Sequence, residues 1–185
     1  AQVVGPEDEE IYTDEFGRVR VQFHWDREGT FDPNSSIWMR VSQGWAGTRY
    51  GMIVIPRIGH EVLVGFLDGD VDSPLIVGRA YNAADPVPYA LPEHKTVSTW
   101  KSDSSPGSNG YNEIKDEDKK HQELVYVQAQ KDMGRLIKND EVTMVGHNRT
   151  HVVEHDEVVS VKNDRVKVIH HDESSAIGQD RSTQV

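Results

Sequence analysis

Apolar and polar residues alternate with the period of a half-buried strand in several short stretches of the first part of the chain. Val19, Val21, Phe23 and Trp25 alternate with Arg18, Arg20, Gln22 and His24. Ile37, Met39 and Val41 repeat the pattern after the turn-rich run Asp32-Pro33-Asn34-Ser35. Gly51 to Ile55 is a short apolar run closed by Pro56 and the turn residue Gly59. Val62, Val64 and Phe66 form another alternating set, Asp68-Gly69-Asp70 turns the chain, and Leu75-Ile76-Val77 makes a further strand. Five strands joined by turns, with no helical period, predict an all-β domain over residues 1–80, a small barrel of the OB type.

Residues 81–112 read as a linker, because Asn82 to Pro92 is rich in proline and Ser102 to Gly110 is rich in Ser, Gly and Asn. Little backbone pairs in a regular ladder in such segments. Residues 113–138 read as a transition, with a solvated charge run at 115–120 and a candidate strand from Leu124 to Val127.

From Asn139 to Val185 the pattern changes to a repeat of eight residues: NDEVTMVG, HNRTHVVE, HDEVVSVK, NDRVKVIH, HDESSAIG, QDRSTQV. An earlier partial match, KDMGRLIK, occupies 131–138. Internal repeats outrank local motifs as evidence for a fold. Eight is a poor helical period, since two α-helical turns cover about 7.2 residues, but it suits a strand plus a turn. The second position (Asp140, Asn148, Asp156, Asp164, Asp172, Asp180) supplies turn chemistry. The fourth and seventh positions carry β-branched residues, so Val142, Val158 and Val166 with Val145, Val153, Val161, Ile169 and Ile177 are the expected core of a needle. These two positions differ in parity, which requires a bend or bulge between them.

The third position is Glu141, Arg149, Glu157, Arg165, Glu173, Arg181, a strict alternation of sign. In a two-sided single-chain roll, each octad lies over the next but one and like charges face each other, which is unfavourable. A triangular single-chain coil matches the signs, but six octads then make only two coils, too few to bury a core. In a three-fold intertwined trimer, each octad sits under the next octad of a neighbouring chain and every Glu meets an Arg. That arrangement predicts a triple-stranded β-helix in which these six residues are inter-chain register pairs. An exposed pair contributes only about 0.2–1 kcal/mol, so the expected role of the alternation is to forbid a slip of one octad.

Composition fits an elongated shape with a thin core: 28% of the residues are charged, 36% are hydrophobic and the net charge is −11. The acidic balance argues against nucleic acid and anionic membranes, and residues 1–80 alone hold 7 Lys+Arg against 13 Asp+Glu, so no oligonucleotide groove is expected in the barrel. There is no cysteine, hence no disulfide frame and no thiolate site. The first residues have no basic and apolar signal-peptide pattern, and they begin without Met, which is expected of a fragment. Of the nine histidines, His147, His151, His155, His170 and His171 lie in the octads and read as turn and face residues. His24, Asp26 and Glu28, and the cluster Asp68, Asp70 and Asp72, read as surface turns, because neither completes a calcium loop. No nucleophile elbow and no phosphate loop is present, so no catalytic residue, no metal site and no cofactor is expected.

The stretches TDEFGRVRVQFHWDREG (13–29), WMRVSQGWAG (38–47), PRIGHEVLVGFLDGD (56–70), PLIVGRAYN (74–82) and PYALPEHKT (88–96), followed by the octads, resemble the VgrG spike proteins of bacterial type VI secretion, which are similar to the central spikes of contractile phage tails. The resemblance implies an OB barrel, a connecting region and a trimeric β-helix that acts as a puncturing spike and not as an enzyme. It also implies a Hcp tube beneath the spike, a PAAR-type protein at its tip, effectors carried on it, assembly in the bacterial cytoplasm and secretion into a target cell. The family's N-terminal tube-docking region has no counterpart in these residues, and 81–112 is too short for a lysozyme domain. A trimeric adhesive or receptor-binding fibre is the alternative reading of the same repeat.

Overall fold

A computed structural model describes residues 1–179 and shows how the alternating segments close on themselves. Five strands form the barrel: β1 (Gln2–Val4), β2 (Arg20–Gln22), β3 (Arg40–Val41), and, after the small hairpin of β4 (Ala46–Gly47) and β5 (Tyr50–Gly51), β6 (Val62–Phe66) and β7 (Pro74–Arg79). β1 pairs antiparallel with β2, β3 pairs parallel with β7, and β7 pairs antiparallel with β6. Two bridges complete the ring, Val19 to Met39 between β2 and β3, and Gln2 to Glu61 between β1 and β6. The circular order β1-β2-β3-β7-β6 leaves no free edge in the barrel, which is how an OB fold manages its backbone donors and acceptors.

The core results from the alternation. Val3, Val19, Val21, Met39, Val62 and Ile76 are almost completely buried and touch one another. Each such side chain contributes about 1.5–3 kcal/mol of burial. Between the inward valines of β2, Arg20 points out and stacks 4.7 Å over the Trp38 ring. The expected strand Val19–Trp25 ends at Gln22, and Trp25 is 74% exposed, stacked on Phe23 with ring centroids 5.0 Å apart. β1 has no counterpart in the sequence reading, since three residues carry no readable alternation. The run Gly51–Ile55 is also not one strand. Only Tyr50 and Gly51 pair, Ile53 faces solvent, and the Gln43 side chain holds the Val54 backbone N–H at 3.0 Å instead. Gly51 adopts φ 137° with the Trp45 carbonyl against it, a place with no room for a Cβ.

The segment read as a linker contains a strand. β8 (Val97–Lys101), β9 (Glu113–Glu117) and β10 (Leu124–Gln128) form an antiparallel meander, with rows such as Thr99–Lys115–Tyr126 in register. The Ser/Gly-rich loop is tied to the barrel. Arg57 donates to the Asp103 carbonyl at 2.5 Å, and the Gly107 N–H donates to Glu10 at 2.6 Å.

One face of the meander carries a buried carboxylate. Glu113 is 3% exposed and accepts hydrogen bonds from Tyr89 Oη at 2.6 Å and Thr99 Oγ1 at 2.8 Å. Lys115 lies 5.2 Å from the Tyr89 ring and 5.1 Å from that of Tyr126, and Lys101 lies 4.0 Å from the Tyr111 ring. Aromatic faces attract such cations. Burial pushes the Glu113 carboxyl up, but the two hydrogen bonds and the Lys101 and Lys115 charges outweigh it and hold it below its ordinary 4.5. The Tyr89 hydroxyl is pushed up to about 12, by burial first and then by its bond to that carboxylate.

Ile76→Ala is expected to lower the unfolding free energy by about 2–5 kcal/mol, and Val77→Ala, at an exposed neighbouring position, by less than about 0.5 kcal/mol, read by guanidinium titration. Glu113→Gln is expected to cost about 1–3 kcal/mol at neutral pH. The Glu113 contribution, from a depressed pKa, is present above its unfolded value of 4.5 and lost as pH falls through the folded value. The Tyr89 contribution, from a raised pKa, is present below 10 and lost as pH rises to about 12. Melting temperatures of the parent and Glu113→Gln should therefore converge on acidification.

Candidate functional site

The repeat is visible in the backbone as a bend at every eighth residue. The chain bends at 138–139, 146–147, 154–155, 162–163, 170–171 and 178–179, the eighth position of one octad and the first of the next. A further bend at 130–131 brings KDMGRLIK into the same register. Between bends the described chain forms no helix, turn or paired strand. At three corners the first position bonds the second: Asn139 Nδ2 donates to Asp140 at 3.1 Å, Asn163 Nδ2 donates to Asp164 at 3.4 Å, and His155 Nδ1 lies 2.8 Å from Asp156. The recurring Asp therefore acts just after the bend, where a short polar side chain offers an alternative to ladder hydrogen bonds.

Among the described residues, 142–179 make no backbone hydrogen bond to another part of the chain. A strand whose amide and carbonyl groups have no internal partner is a template for another strand. Its side chains are likewise open, but not equally. The seventh-position residues Val145, Val153, Val161, Ile169 and Ile177 are 42–51% exposed, whereas the fourth-position Val142, Val158 and Val166 are 82–91% exposed.

Of the charged third positions, three have partners in their own chain. Thr143 Oγ1 donates to Glu141 at 3.3 Å, His151 Nε2 lies 3.3 Å from Glu157, and Lys167 pairs with Glu173. Arg149 and Arg165 have no ion pair with another described residue. Arg181 lies outside the described residues. The sequence reading did not single out His151 and Lys167 as partners of the third position. They occupy the fifth position, and their signal was available: that position is basic in two of the three Arg octads, Thr183 in the third, and Thr143, Val159 or Ser175 in the Glu octads.

The other acidic clusters cap their own turns. Asp26 Oδ1 accepts the N–H groups of Glu28 at 3.0 Å and Gly29 at 3.1 Å, and these bonds hold its pKa below the ordinary value. Asp70 accepts from the Asp72 N–H and the Ser73 hydroxyl, both at 3.0 Å.

Comparison with known proteins finds two domain models along the chain. Residues 7–81 match the type VI secretion system/phage-baseplate injector OB domain, and residues 98–185 match the bacteriophage T4 gp5 C-terminal trimerisation domain. The second match begins at Ser98 in β8, well before the first full octad. The type VI secretion system spike protein VgrG4b of Pseudomonas aeruginosa is 58% identical over 83% of this chain and 19% of its own length. The spike protein VgrG5 of the same organism is 51% identical over 83% of the chain and 19% of its own length. A Vibrio cholerae protein named actin cross-linking toxin VgrG1 is 53% identical over 80% of the chain and 14% of its own length. The chain thus spans less than a fifth of these curated relatives. A self-closed OB barrel followed, among the described residues, by an eight-residue repeat with an unpaired backbone, each part matching its own domain model, shows that this chain carries an injector OB domain and a gp5-type trimerisation domain and is similar in sequence to the VgrG spike proteins.

Proposed function

We propose that this segment is the shaft of a homotrimeric puncturing spike of a type VI secretion machine, with a mechanical and not a catalytic role. The observation that carries the reading is the unpaired backbone of 142–179, bent at every eighth residue. Three such chains, each advancing to the next face as it rises one layer, satisfy one another's amide and carbonyl groups and leave no edge. Force on such a prism is shared by many ladder hydrogen bonds, because no strand leaves it without separating from two other chains. The trimerisation-domain match over 98–185 supports the same stoichiometry.

In this reading Glu141, Glu157 and Glu173 of one chain meet Arg149, Arg165 and Arg181 of a neighbour and set the register. Arg149 and Arg165 stand without ion pairs to other described residues of their own chain, which is the state expected of residues that pair between chains. With strands about 4.8 Å apart, six octads add roughly 30 Å to the needle. The whole spike would be assembled in the bacterial cytoplasm on a Hcp tube, capped by a PAAR-type tip protein, and driven with its effectors into a target cell. These partners rest on the family resemblance.

Sedimentation equilibrium is expected to give a species of three times the 20.9 kDa protomer mass. A folded monomer at micromolar concentration would refute the trimer. Pull-down of a PAAR-type tip protein by the trimer, and not by a chain ending before Asn139, is the expected result for the tip contact.

A further inference from the structure

In each octad the odd positions share one side of the extended strand and the even positions share the other. Two contacts show towards which side the chain bends. His151 and Glu157 are six residues apart, as are Lys167 and Glu173. An extended chain separates such residues by roughly 20 Å. Their side chains meet only because the chain bends towards the odd side at 154–155 and again at 170–171. Exposure gives the same direction independently. Seventh-position residues are 42–51% exposed and Val159, at the fifth position, is 59% exposed. The even-position apolar residues Val142, Met144, Val152, Val158, Val166 and Val168 are 70–91% exposed. The odd side is the concave side.

From this we infer that, in the trimer proposed above, the alternating charges lie inside the prism and the fourth-position valines lie on its outer surface. The corners of a closed three-sided coil bend inwards, so the concave side becomes the interior. The partner is two further copies of this chain. The interior would then be layered. Glu octads contribute a carboxylate at the third position and a neutral residue at the fifth, whereas the Arg octads 147–154 and 163–170 contribute Arg149 with His151 and Arg165 with Lys167. Basic and acidic rings alternate along the axis, separated by the seventh-position Val and Ile. On the odd side the carboxylates Glu141, Glu157 and Glu173 alternate along the sequence with the permanent cations Arg149, Arg165 with Lys167, and Arg181. Alternation of this kind matters inside more than on a wet surface, because an uncompensated enclosed charge is costly while an exposed one is not. The interior position also gives the alternation its force as a register lock, since a slip of one octad stacks three Glu on three Glu without water between them.

The test rests on the trimer and separates the two readings. The full-length chain is measured by sedimentation velocity with lysine placed on either side of one octad. Val158→Lys is expected to leave the trimer dissociation concentration within about threefold of the parent, as for an exposed surface change, and Val161→Lys to raise it by about a hundredfold or more. Glu157→Arg is expected to raise it by about tenfold or more, and to keep most of that effect in about 1 M salt, because enclosed charges are screened far less than exposed ones. Hydroxyl-radical footprinting of the unsubstituted trimer needs no variant to fold: Met144 should remain labelled and His151 should be protected. Disruption by Val158→Lys equal to that by Val161→Lys, a Glu157→Arg effect that vanishes in high salt, or protection of Met144 with labelling of His151 would each overturn the inward assignment while leaving the trimer standing. A parent chain that sediments as a monomer would remove the trimer and the layered interior together.

Discussion

Among the described residues, the octad backbone of 142–179 does not satisfy its own hydrogen bonds, and that constraint decides how this part of the chain can assemble. An unpaired amide or carbonyl costs little in water and a great deal when enclosed. The barrel meets the same requirement alone, by closing five strands into a ring through the Val19–Met39 and Gln2–Glu61 bridges. Residues 142–179 have no such closure with other described residues. Their bends at positions eight and one turn each strand away from the one before it. A single chain therefore has no adjacent strand of its own at hand, and a second and third chain must supply it.

The meander β8–β10 stands between these two solutions in the sequence. It pairs its backbone within the chain, and its Glu113 face is filled by Tyr89, Thr99, Lys101 and Lys115. A carboxylate there is tolerated only because two hydroxyls donate to it and two cations flank it. Its depressed pKa and the raised pKa of Tyr89 express the same contact from its two ends. Such a pair holds residues on either side of the Ser/Gly-rich loop at a fixed distance, which a run of apolar contacts between exposed strands would do less selectively. The trimerisation-domain match also begins here, at Ser98, so it covers most of the strand in the region that the composition marks as a linker, together with the octads.

Much of the barrel was legible because half-buried strands write their burial into alternation. Val19, Val21, Met39, Val62 and Ile76 are core residues in the structure and apolar members of alternating or short apolar runs in the sequence. The failures have local causes. β1 is too short to show a period, Gly51–Ile55 is apolar but held by a side chain and not by a ladder, and β8 is hidden among Pro, Ser and Gly. The Glu113 cluster was not legible for a different reason. Its members Tyr89, Thr99, Lys101, Glu113 and Lys115 are spread over a long stretch of chain and meet only through the meander register.

In the octads the division is sharper. The period of eight, the position of the turn residues and the charge alternation at the third position are properties of the sequence alone, because each repeats at a fixed spacing. The sequence also shows that the fourth and seventh positions lie on opposite sides of a strand. It does not say which side the chain closes around. Hydrophobicity alone does not settle it: the seventh position is Val or Ile throughout, but the fourth also carries Val142, Val158 and Val166 beside Thr150, Ser174 and Ser182. The direction of the bend decides, and that is a property of backbone path, visible where His151 reaches Glu157 and Lys167 reaches Glu173 across a corner and in the lower exposure of the seventh position.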